Sequence, residues 1–169
     1  MLRITKAEEQ AVRLVMRLAT SGYQMTLAEL ARHERLPEPT VAKLLGLLRR
    51  GEVVDAVRGR NGGYTLGGDP AEISVAQIVR AVGSEPAPEH GCVTDPSGED
   101  CPRVEDCGLR SVWRHLQYQV TDVMEKTTVA DLLSLEEVVT RHVRRVWPVD
   151  MRQPGADEDR ADRAVGGER

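Results

Sequence analysis

The 169-residue chain has no phenylalanine, only 3% aromatic residues and just three cysteines. So few aromatic side chains argue against a stacking platform for single-stranded nucleic acid, and they leave Leu, Val, Ile and Ala to build the core. No apolar run approaches the roughly 20 residues of a membrane span. The opening Met1 to Lys6 runs straight into a charged amphipathic pattern without the apolar stretch of a signal peptide, so a cytoplasmic protein is expected, with no membrane partner. Three thiols in a reducing compartment argue against a disulfide framework, since an odd count leaves one unpaired. There is no nucleotide-binding glycine motif and no nucleophile with an orienting partner at recognisable spacing, so an enzyme is not expected.

With 40% hydrophobic residues, the sequence is that of a folded protein of one or two small domains. The net charge of −4 is unevenly spread. Residues 1–66 hold eleven Lys and Arg against seven Asp and Glu, leaving twelve against twenty in the remainder. The basic half is the candidate partner of duplex DNA.

Local patterns in that half predict three helices. Thr5 and Glu8 form a capping box, in which the hydroxyl caps a free N–H and the carboxylate reaches back; Ala11, Val12, Val15, Leu18 and Ala19 follow at helical spacing to about Thr20. Thr26 and Glu29 repeat the pattern, with Leu27, Leu30 and Ala31 on one face of a helix ending near His33. Pro39 suits a first helical position, Val41, Leu44, Leu45, Leu47 and Leu48 form the apolar face of a third helix, and Gly51 reads as its C-cap. Two short strands between Val53 and Leu66 follow, around a tip where Gly59, Asn61, Gly62 and Gly63 can supply positive φ and Arg58 and Arg60 supply cations.

The expected fold is mainly α with a small β-wing: a winged helix-turn-helix domain plus a long dimerisation helix. In such a unit the third helix enters the major groove, with Pro39, Thr40 and Lys43 on its first turns, while Arg58 and Arg60 reach the adjacent minor groove of an operator. The expected division is a winged domain over 1–68, a connecting helix over 69–83 opened by Ser74, a cysteine loop over 84–108, a dimerisation helix and C-terminal helices over 109–148, and a disordered polar tail over 149–169.

Cys92, Cys101 and Cys107 share one Gly/Pro/Asp-rich stretch, which suggests a metal centre. Three thiolates plus one other ligand suit an iron-sulfur cluster, 2Fe-2S or 4Fe-4S. With His90 as the fourth ligand they could make a tetrahedral zinc site, although the tight Cys-x-x-Cys knuckle usual in zinc sites is missing. A metal-free thiol regulator is a further alternative. Beyond the loop, Leu109, Trp113, Leu116, Val120 and Val123 step by four and three along one helix to about Lys126. That stripe fits a homodimer seam or a core-packing face.

Thr5-Lys6, Ala11-Val12, the helical pair, Arg58-Gly59, Gly62-Gly63-Tyr64 and three cysteines before a long helix together resemble the IscR/NsrR/RirA family of bacterial regulators, the Rrf-two family, over about residues 1–133. The resemblance implies a homodimeric winged-helix transcription regulator, a repressor or activator, sensing redox state, nitric oxide or iron. Its cysteines would hold a cluster between the winged domain of one subunit and the loop of the other. The chain departs from familiar members in placing eight residues between Cys92 and Cys101, and in carrying Arg110 where a ligating histidine stands in IscR-like members. The resemblance to NsrR-like members then points to Glu9 as the fourth ligand. It also aligns a position that discriminates operator sequence with Ala42.

Overall fold

The computed structural model describes residues 4–59, 62–83, 108–134 and 136–146, with the backbone alone at 136, 137, 143 and 146. Arg60, Asn61, His90, the three cysteines, residues 147–148 and the polar tail lie outside the described residues. The elements run α1 (Lys6–Ser21), α2 (Leu27–Glu34), α3 (Glu38–Arg50), β1 (Val54–Val57), β2 (Gly63–Leu66), α4 (Val75–Ala81), α5 (Gly108–Lys126), α6 (Val129–Leu132) and α7 (Glu136–Val146). This is the mainly helical fold with a two-stranded wing that the sequence patterns lead one to expect.

Both capping boxes form. The Thr5 N–H donates to Glu8 Oε2 at 2.7 Å and the Glu8 N–H to Thr5 Oγ1 at 3.2 Å, with the same exchange between Thr26 and Glu29 at 2.8 and 3.3 Å. A third box, between Thr128 and Asp131, opens α6. The start of α3 has Pro37 as N-cap, with no side-chain cap, and Glu38 as the first helical residue, so Pro39 sits one place further in than its sequence suggests.

Gly51 is the C-cap of α3 as expected, but with φ −87° rather than a left-handed backbone; Glu52 takes the left-handed conformation, at φ 58°. Gly51 is needed for space instead, because an added Cβ would lie 2.5 Å from Ala81 Cβ where α4 packs across α3. At the wing, only Gly59 among the described residues has positive φ, at 125°. A Cβ on Gly62 would meet the Val57 carbonyl oxygen at 2.5 Å, and one on Gly63 would meet the Met25 carbonyl oxygen at 2.6 Å. Close backbone approach, rather than turn conformation, requires glycine there.

The strands pair antiparallel, from Val54 opposite Leu66 to Val57 opposite Gly63. Met25, just before α2, extends this sheet: its N–H donates to the Tyr64 carbonyl at 3.0 Å and its carbonyl accepts from the Tyr64 N–H at 2.8 Å. The wing is thereby fastened to the entrance of the helix-turn-helix.

One core joins α1 to α4, the wing and α6. Leu14, Leu30, Leu45, Leu48, Val53, Ile78 and Val129 are fully buried in a single cluster that spans α1 to α6. At about 25 cal/mol per Å² of apolar surface, each such leucine contributes on the order of 2 kcal/mol. Backbone bonds from Val75 N–H to Thr127 O and from Val129 N–H to Ile73 O, both 2.9 Å, join the start of α4 to the end of α5. The end of the long helix is therefore built into the winged unit.

Candidate functional site

Burial along α3 separates two faces. Val41, Leu44, Leu45 and Leu48 are buried, while Glu38, Pro39, Ala42, Lys43, Arg49 and Arg50 are exposed and Thr40 is half-buried. Pro39, Lys43, Gly46 and Arg50 step by four, three and four, which puts them on one open helix face. An added Cβ on Gly46 would meet nothing within 4 Å. This outer face combines small residues with cations, so a groove can approach the helix backbone closely and meet positive charge at its margin.

The helix is held from behind. Glu34, at the end of α2, is 7% exposed and accepts from Arg13 Nε at 3.1 Å and Arg17 Nε at 2.7 Å, while its carbonyl accepts from Arg13 Nη2 at 2.8 Å. The chain then turns through Arg35 in the left-handed region, at φ 55°, and enters α3. Two arginines of α1 thus lock the turn of the helix-turn-helix. Sequence reasoning missed this brace, because the partners lie 17 and 21 residues apart and no local periodicity links them.

On the wing, Arg58 is exposed beside Gly59 and borders a depression of about 370 Å³ between the strands and the start of α2. Thr26 and Leu27 line its α2 side. The backbone N–H and then the hydroxyl of Thr26 hold the Glu29 carboxyl below its ordinary value of 4.5, so α2 keeps an ionised cap.

Glu9 is exposed on the first turn of α1, and its carboxylate lies 3.7 Å from Arg13 Nη1. Glu8 next to it is buried and occupied by the capping box. On α5, the start of the apolar stripe is open and its middle is buried: Leu109 is 54% exposed, Trp113 38%, Leu116 41% and Val120 9%. The second half of the stripe packs into the protein, and the first half is an uncovered apolar face. In the first turn of α5, half-buried Arg110 has Nε and Nη2 out of solvent with no hydrogen-bond partner among the described residues.

A helix-turn-helix with an exposed small and cationic third helix, braced from α1 and followed by a glycine-tipped wing, defines a DNA-binding transcription regulator. The comparisons agree: residues 4–135 match the Rrf2 family model, described as an iron-dependent transcriptional regulator, and the chain belongs to that family. It is 34% identical to the protein aau3 of Rhizobium meliloti over 134 residues, covering 78% of this chain and 85% of that protein. The structure of CymR, the global cysteine regulator of B. subtilis, matches with TM-score 0.66 and 27% identity over 79% of this chain and 97% of that one. The structure of T. potens IscR matches with TM-score 0.60 and 26% identity over 78% and 86%. The family is one of transcription regulators rather than enzymes.

Proposed function

We propose that this regulator acts as a cytoplasmic homodimer whose grip on operator DNA is controlled by an iron-sulfur cluster bound through Cys92, Cys101, Cys107 and Glu9. The observation that carries the sensing half is the placement of Glu9. Its neighbour Glu8 is consumed by the capping box, while Glu9 is exposed and is engaged among the described residues by one loose ion pair. It is thus available as a ligand. Three thiolates and a carboxylate suit iron, and the cluster would supply a centre that oxidants or nitric oxide can destroy.

Arg13 touches both Glu9 and Glu34, so a change in what holds Glu9 reaches the turn before α3 through one side chain. Loss of Glu9 as a ligand returns it to Arg13 and shifts the brace on Glu34. The bistable element is the seating of α1 against that turn. The exposed half of the α5 stripe supports self-association, since a second copy would bury Leu109, Trp113 and Leu116 and pair two reading heads. At the DNA, Lys43 with Pro39 and Thr40 faces the major groove, and Arg58 with Arg60 enters the minor groove.

Two measurements test this reading. On an operator selected from random duplexes, at fixed salt, Arg58→Ala weakens binding roughly tenfold, about 1.4 kcal/mol; unchanged affinity removes Arg58 from the interface. Glu9→Ala alters both the visible spectrum of the anaerobic protein and its response to oxidant. The same spectrum and the same response would rule Glu9 out as a ligand.

A further inference from the structure

The open face of α3 ends on an arginine. Pro39, Lys43, Gly46 and Arg50 follow one line along the helix, and Arg50 is exposed at its far end. Arg13, Arg17 and Arg80 are engaged by the carboxylates of Glu34 and Glu125, whereas Arg50 has no ion-pair partner among the described residues. Four residues before it stands Gly46, with nothing within 4 Å of where a Cβ would be. Long side chains on a helix lean toward its N-terminus and cover the turn before their own. An Arg50 side chain leaning that way crosses the surface that Gly46 leaves bare, toward Lys43. Arg49 is turned about 100° from Arg50 and follows buried Leu45 by one helical turn, so it belongs to the edge of the face. Both arginines complement the helix dipole in the last turn of α3, and that role does not separate them. Their placement does.

Resting on the placement of α3 in the major groove, we propose that Arg50 determines operator sequence: its guanidinium reaches back over Gly46 and donates to O6 and N7 of one guanine in each half-site. Guanine presents two adjacent acceptors in the major groove, and the planar fork of an arginine matches both at once. The missing side chain at Gly46 lets the helix backbone sit close to the bases, which brings a last-turn residue within reach of their edges. Arg49, at the margin, meets a backbone phosphate where the helix leaves the groove. The two neighbouring arginines therefore divide the work, one reading sequence and the other adding affinity that is indifferent to sequence.

The test uses the full-length protein and the operator selected from random duplexes, at fixed salt, with each guanine replaced in turn by 7-deazaguanine, which lacks the N7 acceptor. Wild type binds one such duplex roughly tenfold more weakly than the parent operator. Arg50→Lys keeps the charge but loses the fork, so it binds the parent operator more weakly and is indifferent to that replacement. A guanine read by Lys43 keeps its penalty in the Arg50 variant. Arg49→Ala weakens binding to all duplexes alike and lowers the salt slope by about one. If Arg50→Lys retains every 7-deazaguanine penalty of wild type, Arg50 is a phosphate contact and the proposal is overturned. Unchanged operator affinity in Arg50→Ala, with a lower melting temperature, leaves Arg50 to the helix dipole and also overturns it. So does a wild type for which no guanine replacement matters, an arm that needs no variant to fold. A chain that selects no preferred duplex, or that loses no affinity in Lys43→Ala, defeats the placement of α3 in the groove. Lost affinity in Lys43→Ala with an indifferent Arg50 defeats the assignment of Arg50 alone.

Discussion

Arg13 holds Glu34 twice, through Nε to the carboxylate at 3.1 Å and through Nη2 to the backbone carbonyl at 2.8 Å. Together with Arg17 it fixes the turn that aims α3. Both arginines are about 40% exposed at the side chain, so solvent takes over part of what the bonds provide. Glu34→Ala is expected to cost roughly 1–2 kcal/mol of stability in a urea melt and to lower operator affinity by more than that loss of folded protein explains. Affinity unchanged after correction for folding would reduce the brace to a local stability feature.

Gly51 and Glu52 respond oppositely to substitution. Gly51→Ala drives a Cβ into Ala81 and should destabilise by about 1–3 kcal/mol. Glu52→Gly relieves a non-glycine residue of left-handed backbone and should stabilise by up to about 1 kcal/mol. Thermal melts of the two variants check the signs, and a stabilising Gly51→Ala would contradict the packing described for α3 and α4.

At the wing, Gly63→Ala forces a Cβ against the Met25 carbonyl and breaks the bridge between Met25 and Tyr64. The helices keep their core, so far-ultraviolet circular dichroism should be nearly unchanged while operator binding falls. Retained binding would show that the wing needs no fastening to α2.

Gly46 faces outward with open space around it, where a mid-helix glycine costs about 0.5–1 kcal/mol relative to alanine. Gly46→Ala should therefore raise the melting temperature. If the groove approaches the α3 backbone at this point, the same variant binds the operator more weakly. Tighter or equal binding would move the DNA away from this turn.

Acid should loosen α6. The Asp131 carboxyl is held below its ordinary value of 3.8, first by the Thr128 backbone N–H, then by the Thr128 hydroxyl and by His142 and Arg145. A depressed folded-state value means that the contribution is full above the unfolded-state value near 3.8 and is lost as pH falls through the lower folded value. Asp131→Asn should narrow the stability difference between pH 6 and pH 3 in denaturant melts. An equally steep acid loss in the variant would place the sensitivity elsewhere.

The sequence made the helices readable because each apolar face repeats at three and four residues and each capping box is local. The two-stranded wing was readable from its glycine-rich tip. What the glycines do was not, since a left-handed turn and a close contact both demand the absence of a Cβ; Gly51 makes room for the Ala81 side chain, and Gly62 and Gly63 for neighbouring backbone. The Met25 bridge left no pattern, because a single residue joined to a sheet has no periodicity. The Glu34 brace and the orphaned Arg110 depend on where α1 and α5 dock, which no window of sequence contains. The outer face of α3 was visible as the complement of its buried face, and Pro39 and Lys43 are exposed on it.

The most direct test of the account is to purify the untagged protein anaerobically and record its visible spectrum with iron, acid-labile sulfide and zinc per monomer. A brown protein carrying iron and sulfide, and losing both in Cys92→Ala, Cys101→Ala and Cys107→Ala, is the expected result. A colourless protein with stoichiometric zinc and no sulfide would contradict it, leaving a winged-helix regulator whose cysteines staple the structure instead of reporting a signal.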